Sequence, residues 1–266
     1  MSARTRVYLV VGACAATAAA AVVGITAATH HNPPQPLGPR KGKPPFAADV
    51  TAPRPLSADV RAALRGWPNG TIPRLQGLAA ANPRSGFVRV NLGVALFWAR
   101  RNAAAVASWR DASRVDPDSP SAIRAGDLLH PGSPPGLPFF VPSGRADPRL
   151  DRGLAFQRAG RPVSAERAFA AAARQAPDDP QTLVASAVSR FRKDDPGRAF
   201  SRIGPLAARF PHSQTVRFHL GLLSIWIGDF REAKRQLELA REEGPQTKLG
   251  REAKTLLASL VRVGTR

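Results

Sequence analysis

The sequence predicts an all-α chain: an α-solenoid of helical hairpins preceded by one N-terminal transmembrane helix. Three observations predict it. Small and apolar residues recur at helical spacing in windows 34 residues apart, most clearly around Gly153, Ala187 and Gly221. Aromatic residues make up only 6% of the 266 positions while alanine is abundant, which suits helices packed closely through small side chains. Residues 7–28 form an uncharged run of 22.

Taken in order, residues 1–6 are short and basic and are expected in the cytoplasm. At about 1.5 Å per helical residue, Val7–Ala28 is long enough to cross a hydrocarbon core of about 30 Å. Arg4 and Arg6 precede it and no base follows until Arg40, so the positive-inside rule predicts a single-pass anchor, N-in, with the rest of the chain outside the cytoplasm. Secretion after signal cleavage is the alternative, with Thr26-Ala27-Ala28 as the cut site, although a signal's apolar region of about 7–15 residues is shorter than this one. Val11-Gly12-Ala13-Cys14 faintly resembles a lipoprotein box, but the apolar run continues well past Cys14. That cysteine is the only one, which excludes an intramolecular disulfide and a thiolate zinc site.

Residues 29–56 are proline-rich and predict an extended linker that holds the repeats away from the bilayer. Residues 57–130 read as an N-terminal repeat block. A degenerate hairpin comes first, SADVRAALRGW and IPRLQGLAAANP, and a fuller unit follows from Gly86 to Ser119, with Leu92-Gly93, Leu96, Ala105, Trp109, Ala112 and Pro117 at the expected offsets. Gly93 and Ala105 belong where two helices touch; Leu96, Trp109 and Ala112 fill the seam with the next unit. A third window opens with one helix near Pro120–His130 and then loses its second helix to PGSPPGLPFFVPSG.

That insertion, residues 131–145, cannot hold a helical hydrogen-bond ladder. The plain reading is a surface linker; the functional alternative is that Phe139-Phe140 docks over the array or into its groove. Residues 146–245 give three further units, marked by Gly153, Phe156, Ala165, Phe169, Ala172 and Pro177, by Ala187, Ala199, Ile203, Leu206 and Pro211, and by Gly221 to Pro245. Asp147-Pro148, Asp179-Pro180 and Asp195-Pro196 each place an acceptor before an N1 proline, as a helix start requires. Residues 246–263 predict a capping helix whose apolar side is Leu249, Ala253, Leu256, Leu257 and Leu260.

The spacing of these residues resembles the tetratricopeptide repeat, and the resemblance covers about residues 57–263. It departs at the position where tryptophan is usual, here Arg89, Arg149, Leu183 and Arg217, and only Gly160 and Gly228 supply the frequent turn glycine. The resemblance implies a bacterial, membrane-anchored scaffold that takes a protein or peptide, another envelope protein, in a concave groove lined by the first helix of each hairpin. Carried onto this chain, the groove positions are Asn91, Val94 and Trp98; Asp151, Leu154 and Arg158; Val188 and Arg192; His219, Leu222 and Trp226. The set is largely apolar. It lacks the ordered cations that clamp a C-terminal carboxylate in some relatives, since Val90, Leu150, Val184 and Phe218 stand there, so an amphipathic helix or extended segment fits better.

Charge supplies the alternative. The chain carries +20, and because residues 1–56 hold six basic and one acidic residue, the repeats keep 33 against 18, about +15. A field of that sign attracts cell-wall polymer, lipid head groups or nucleic acid, the last not the expected partner. Arginine outnumbers lysine 33 to 6 in an Ala/Pro/Gly-rich chain, a bias that GC-rich coding also produces. No phosphate loop, nucleophile elbow or paired-histidine helix is present, so an enzyme is not expected, nor a cofactor or metal. His30-His31 has no third ligand nearby, and His212 lies before the cap Ser213, so it does not share a helix with His219. The pairs Asp178-Asp179 and Asp194-Asp195 are explained by capping.

Overall fold

The structure, a computed structural model, describes residues 40–144 and 147–264. The run at 7–28, and with it the expected anchor and orientation, lies outside the described residues; among those described, no helix is long and apolar enough to cross a membrane. Twelve α-helices and no strand occur among them. They divide between two compact units, one ending at Pro131 and the other starting at Gly132. Both are built of helical hairpins, successive helices packed on one another.

The N-terminal unit contains α1 (Arg54–Arg65), α2 (Thr71–Ala81), α3 (Gly86–Trp98), α4 (Asn102–Val115) and α5 (Pro120–Leu129). Helix α3 begins where the Ser85 hydroxyl accepts from the Val88 N–H, and α5 where Ser119 accepts from Ala122, each replacing a ladder bond that the first turn lacks. The α3–α4 hairpin closes because residue 93 is glycine: a Cβ there would overlap the Trp109 ring. Helix α5 packs on α4 and α3, and the insertion follows in place of its hairpin mate.

The C-terminal unit contains α6 (Pro148–Arg158), α7 (Pro162–Gln175), α8 (Pro180–Val188), α9 (Gly197–Arg209), α10 (Gln214–Ile227), α11 (Phe230–Glu243) and α12 (Lys248–Gly264). The glycine contact recurs sixteen positions apart in each case. Gly153 faces the Phe169 ring, and a Cβ at Gly221 would stand 2.9 Å from Leu237 Cγ. Asp147 and Asp179 cap α6 and α8 ahead of an N1 proline. Asp195-Pro196 does not follow suit: α9 begins at Gly197, Pro196 itself occupies the cap, and no side chain closes the first turn. Leu249, Ala253, Leu256, Leu257 and Leu260 of α12 are all buried in the core that runs through this unit.

Two segments outside the helices depart from the linker reading, the second in favour of its alternative, since Phe140 docks against the C-terminal unit. Residues 40–53 do not stand off as a stalk; Pro44 and Ala47 are buried against the N-terminal unit, and α1 begins already at Arg54. Residues 132–144 are not a surface linker either. Pro134, Pro138 and Phe140 are buried, and Leu137, Phe140 and Val141 belong to the C-terminal core. The physical reason is shared. Proline-rich backbone offers few donors and a pre-extended shape, so it loses little entropy when laid in a groove whose side chains satisfy the groups that remain.

Candidate functional site

In the C-terminal unit the groove side of α6, α8 and α10 is filled by residues 134–143. The Gln157 side chain brackets one peptide unit: Phe140 N–H donates to Oε1 and Gln157 Nε2 donates to the Phe140 carbonyl, both at 3.0 Å. Val141 N–H donates to His219 Nε2 at 2.9 Å, Ser143 N–H to Gln181 Oε1 at 3.3 Å, and Lys193 Nζ to the Pro134 carbonyl at 2.6 Å. Between these bonds the Phe140 ring is 1% exposed, edge-on to Phe169 and stacked on the His219 imidazole at 5.0 Å.

The His219 tautomer follows from its partners. Nδ1 lies 2.7 Å from the Thr215 carbonyl, which can only accept, so Nδ1 carries the proton and Nε2 is left as the acceptor that Val141 requires. The ring must therefore be neutral. Complete burial agrees, holding its pKa down to about 4 against a weaker opposing effect of the Thr215 carbonyl.

The N-terminal unit repeats the device with different residues. Asn91 brackets Ala47: Ala47 N–H donates to Oδ1 at 2.9 Å, and Asn91 Nδ2 donates to the Ala47 carbonyl at 3.0 Å and also to Phe87 O. Upstream, Arg40 N–H donates to the Trp98 carbonyl and its guanidinium lies 3.7 Å above the Phe97 ring. Downstream, the Asp49 carboxylate accepts from Ser121 N–H and Oγ in the first turn of α5, where the helix dipole favours an anion. Phe46 packs edge-on to Phe87 beneath Arg61.

Of the residues expected to line the groove, Asn91, Val94, Val188, His219, Leu222 and Trp226 are buried. Asn91 and His219 are turned on the chain's own strap. Val188, Leu222 and Trp226 belong to the C-terminal core. Trp98, Leu154 and Arg192 are half-buried, and Arg192 is held by Glu166 at 2.6 Å; only Asp151 and Arg158 are exposed. Gln157, Gln181 and Lys193, which carry the backbone contacts, were missed. For the two glutamines, an amide one or two turns from a groove position, opposite a proline-flanked aromatic, is the signal that could have found them.

No protein-family model matches the chain, and no curated protein does. Ten chains of known structure match, among them the crystal structure of yeast Tom70, at 14% identity over 84% of this chain and 52% of that one, with a TM-score of 0.38. The chain thus spans about half that neighbour's length. So coarse a likeness adds nothing to the hairpin geometry, on which the repeat fold rests.

One feature is common to both grooves. Trp98 and Trp226 occupy the same repeat position, five residues beyond Gly93 and Gly221, and their indole Nε1–H groups are buried without a hydrogen-bond partner. The straps satisfy the side chains around them and leave these two donors unpaired. Among the described residues no cluster of His, Cys, Asp and Glu could hold a metal.

Proposed function

We propose that the protein is an interaction scaffold that holds an extended segment of a protein partner along the groove of its C-terminal unit. One observation carries this reading. Gln157, His219, Gln181 and Lys193 hold backbone groups of residues 134–143, so the groove is equipped to bind extended polypeptide through its backbone, with one enclosed site between Phe169 and His219 that takes an aromatic side chain. The strap leaves the Trp226 donor unpaired, and an unpaired buried donor costs about 1–3 kcal/mol. A partner that brings an acceptor to that indole has an advantage the strap lacks, which is the differential interaction an exchange of occupants needs.

The partner is another envelope protein, and residues 7–28 anchor the scaffold so that both units lie outside the cytoplasm. A reporter at the C-terminus should then be reached only from the outer side of the membrane; labelling from the cytoplasm would overturn the orientation. The groove itself is tested on the full chain with Arg158→Glu, on the exposed rim, and Trp226→Phe, which removes the N–H and keeps a ring. Capture of the partner should fall with both substitutions and persist at moderate salt. Capture that survives both and collapses as salt rises defeats the groove reading.

A further inference from the structure

The C-terminal unit carries a second candidate site, away from the strap. A cleft of about 300 Å³ is lined by Val163, Glu166, Arg167, Ala170, Arg174 and Arg190. A neighbouring cleft of about 360 Å³ shares Arg167 and adds Arg149, Arg152, Phe156 and Gln175. Glu166 is the one carboxylate in either lining. Its charge is already taken up by Arg192 at 2.6 Å and Arg198 at 3.9 Å, neither of which lines a cleft. Arg149 is occupied as well, held by Asp147 at 2.5 Å. Arg152, Arg167, Arg174 and Arg190 have no carboxylate partner among the described residues. Elsewhere Arg114, Arg209 and Arg235 each face an acid while Arg65, Arg84 and Arg110 face none among the described residues, so what sets the clefts apart is that four such arginines line two concave surfaces that share Arg167.

We infer that these adjoining clefts are a binding track for a linear phosphate-bearing polymer, recognised through its phosphates. Three features select that ligand. Arg167 and Arg174 lie seven residues apart on α7, two turns or about 10.5 Å along the axis, and Arg152 continues the row on α6, so the cations are spread along a path rather than gathered on one head group. Guanidinium groups without a carboxylate partner suit phosphate oxygens, which they can grip bidentately. The arginines line clefts rather than a flat face, which suits a strand that can enter them better than the planar head-group surface of a bilayer. Recognition of bases would call for open aromatic platforms, whereas the cleft's one aromatic, Phe156, is half-buried under Arg152 and Arg161.

The test compares two variants of the full chain that lose the same charge: Arg167→Ala/Arg174→Ala/Arg190→Ala in the cleft, and Arg65→Ala/Arg84→Ala/Arg110→Ala on exposed positions of the other unit. The probe is inorganic polyphosphate of defined length, titrated at several salt concentrations. The cleft variant should bind at least about tenfold more weakly, with the log–log salt slope reduced by about 2, as expected for three lost contacts at about 0.7 each on a single strand, while the control variant stays near the parent. Equal weakening of both variants shows diffuse attraction by net charge and overturns the site. Retention by phosphatidylglycerol vesicles without polyphosphate binding overturns the polymer in favour of a membrane. Tighter binding of single-stranded DNA than of polyphosphate of equal phosphate number overturns recognition by phosphate alone.

Discussion

The two units solve one problem with different chemistry. Each lays an extended, proline-flanked stretch of its own chain in a groove, and each grips a single peptide unit through both atoms of a side-chain amide, Asn91 on Ala47 and Gln157 on Phe140. Around that shared bracket the anchors diverge. The N-terminal strap is fixed at its ends by charge, with Arg40 over Phe97 and Asp49 on the first turn of α5, and places only a methyl group at the gripped position. The C-terminal strap is fixed at its centre by a buried phenyl ring and a neutral imidazole. The amide supplies register; the anchors decide how strongly each strap is held and which conditions loosen it.

The largest difference should appear at the aromatic anchors. Phe140→Ala empties a fully enclosed site between Phe169 and His219, and large-to-small changes of this kind cost about 3–5 kcal/mol. Phe46, half-buried beneath Arg61, has solvent on one side, and Phe46→Ala should cost only about 1 kcal/mol. Hydrogen exchange at the Val141 and Ser143 amides, against that at Ala47, reads each strap directly. Similar losses at the two positions would mean that the straps are held alike, contrary to the contrast drawn from their anchors.

Acid should separate the units next. His219 stays neutral in the folded chain until about pH 4, whereas an exposed histidine takes up its proton near 6.5. Its folded pKa is depressed, so its contribution is complete above pH 6.5 and is lost as pH falls toward 4, where the unfolded chain holds a proton that the folded chain cannot. A gap of that size corresponds to about 3 kcal/mol. Protonation would also place an Nε2–H against the Val141 N–H, so the strap should open along with the loss. Denaturation followed between pH 7 and 4 should show this slope in the parent and a flatter one in His219→Phe, which starts from a lower baseline because Val141 loses its acceptor. An unchanged slope in the variant would assign the acid sensitivity to other groups.

The helices were legible because their determinants are local. Asp147 and Asp179 announce their caps within three residues, and Gly93, Gly153 and Gly221 each announce a bulky contact sixteen positions on. Asp195 had the same local signature as Asp179 and still did not cap. For the opposite reason the N-terminal strap was illegible, and of the C-terminal one only the docking of Phe139-Phe140 was read, as an alternative. Phe140 meets His219 across 79 positions, and Ala47 meets Asn91 across 44, so no window of the sequence contains both partners. Proline content correctly excluded a helix from both stretches, but an extended segment in water and one in a groove have the same composition. The groove positions taken from the repeat pattern include Asn91 and His219, which grip the straps, while Gln157 and Gln181 stand beside that pattern and were passed over.

The amides themselves should give the smallest contrast, with the opposite sign. Asn91 is fully buried and serves three backbone groups, since its Nδ2 reaches both Ala47 O and Phe87 O. Gln157 is half-buried and serves two. Replacing either by leucine puts an apolar side chain of comparable size there and leaves the strap peptide it gripped unpaired, at about 1–3 kcal/mol for each buried set, while Phe87 O keeps its helical bond. Asn91→Leu should therefore lie at the upper end of that range and Gln157→Leu at the lower, because water can reach part of the Gln157 site. The order inverts that expected for the aromatic anchors, where the C-terminal strap suffers more. If Gln157→Leu proves the costlier, the amide and the Phe140 ring act as one coupled anchor. A double-mutant cycle between Gln157→Leu and Phe140→Ala would show that coupling as a departure from additivity greater than about 0.5 kcal/mol.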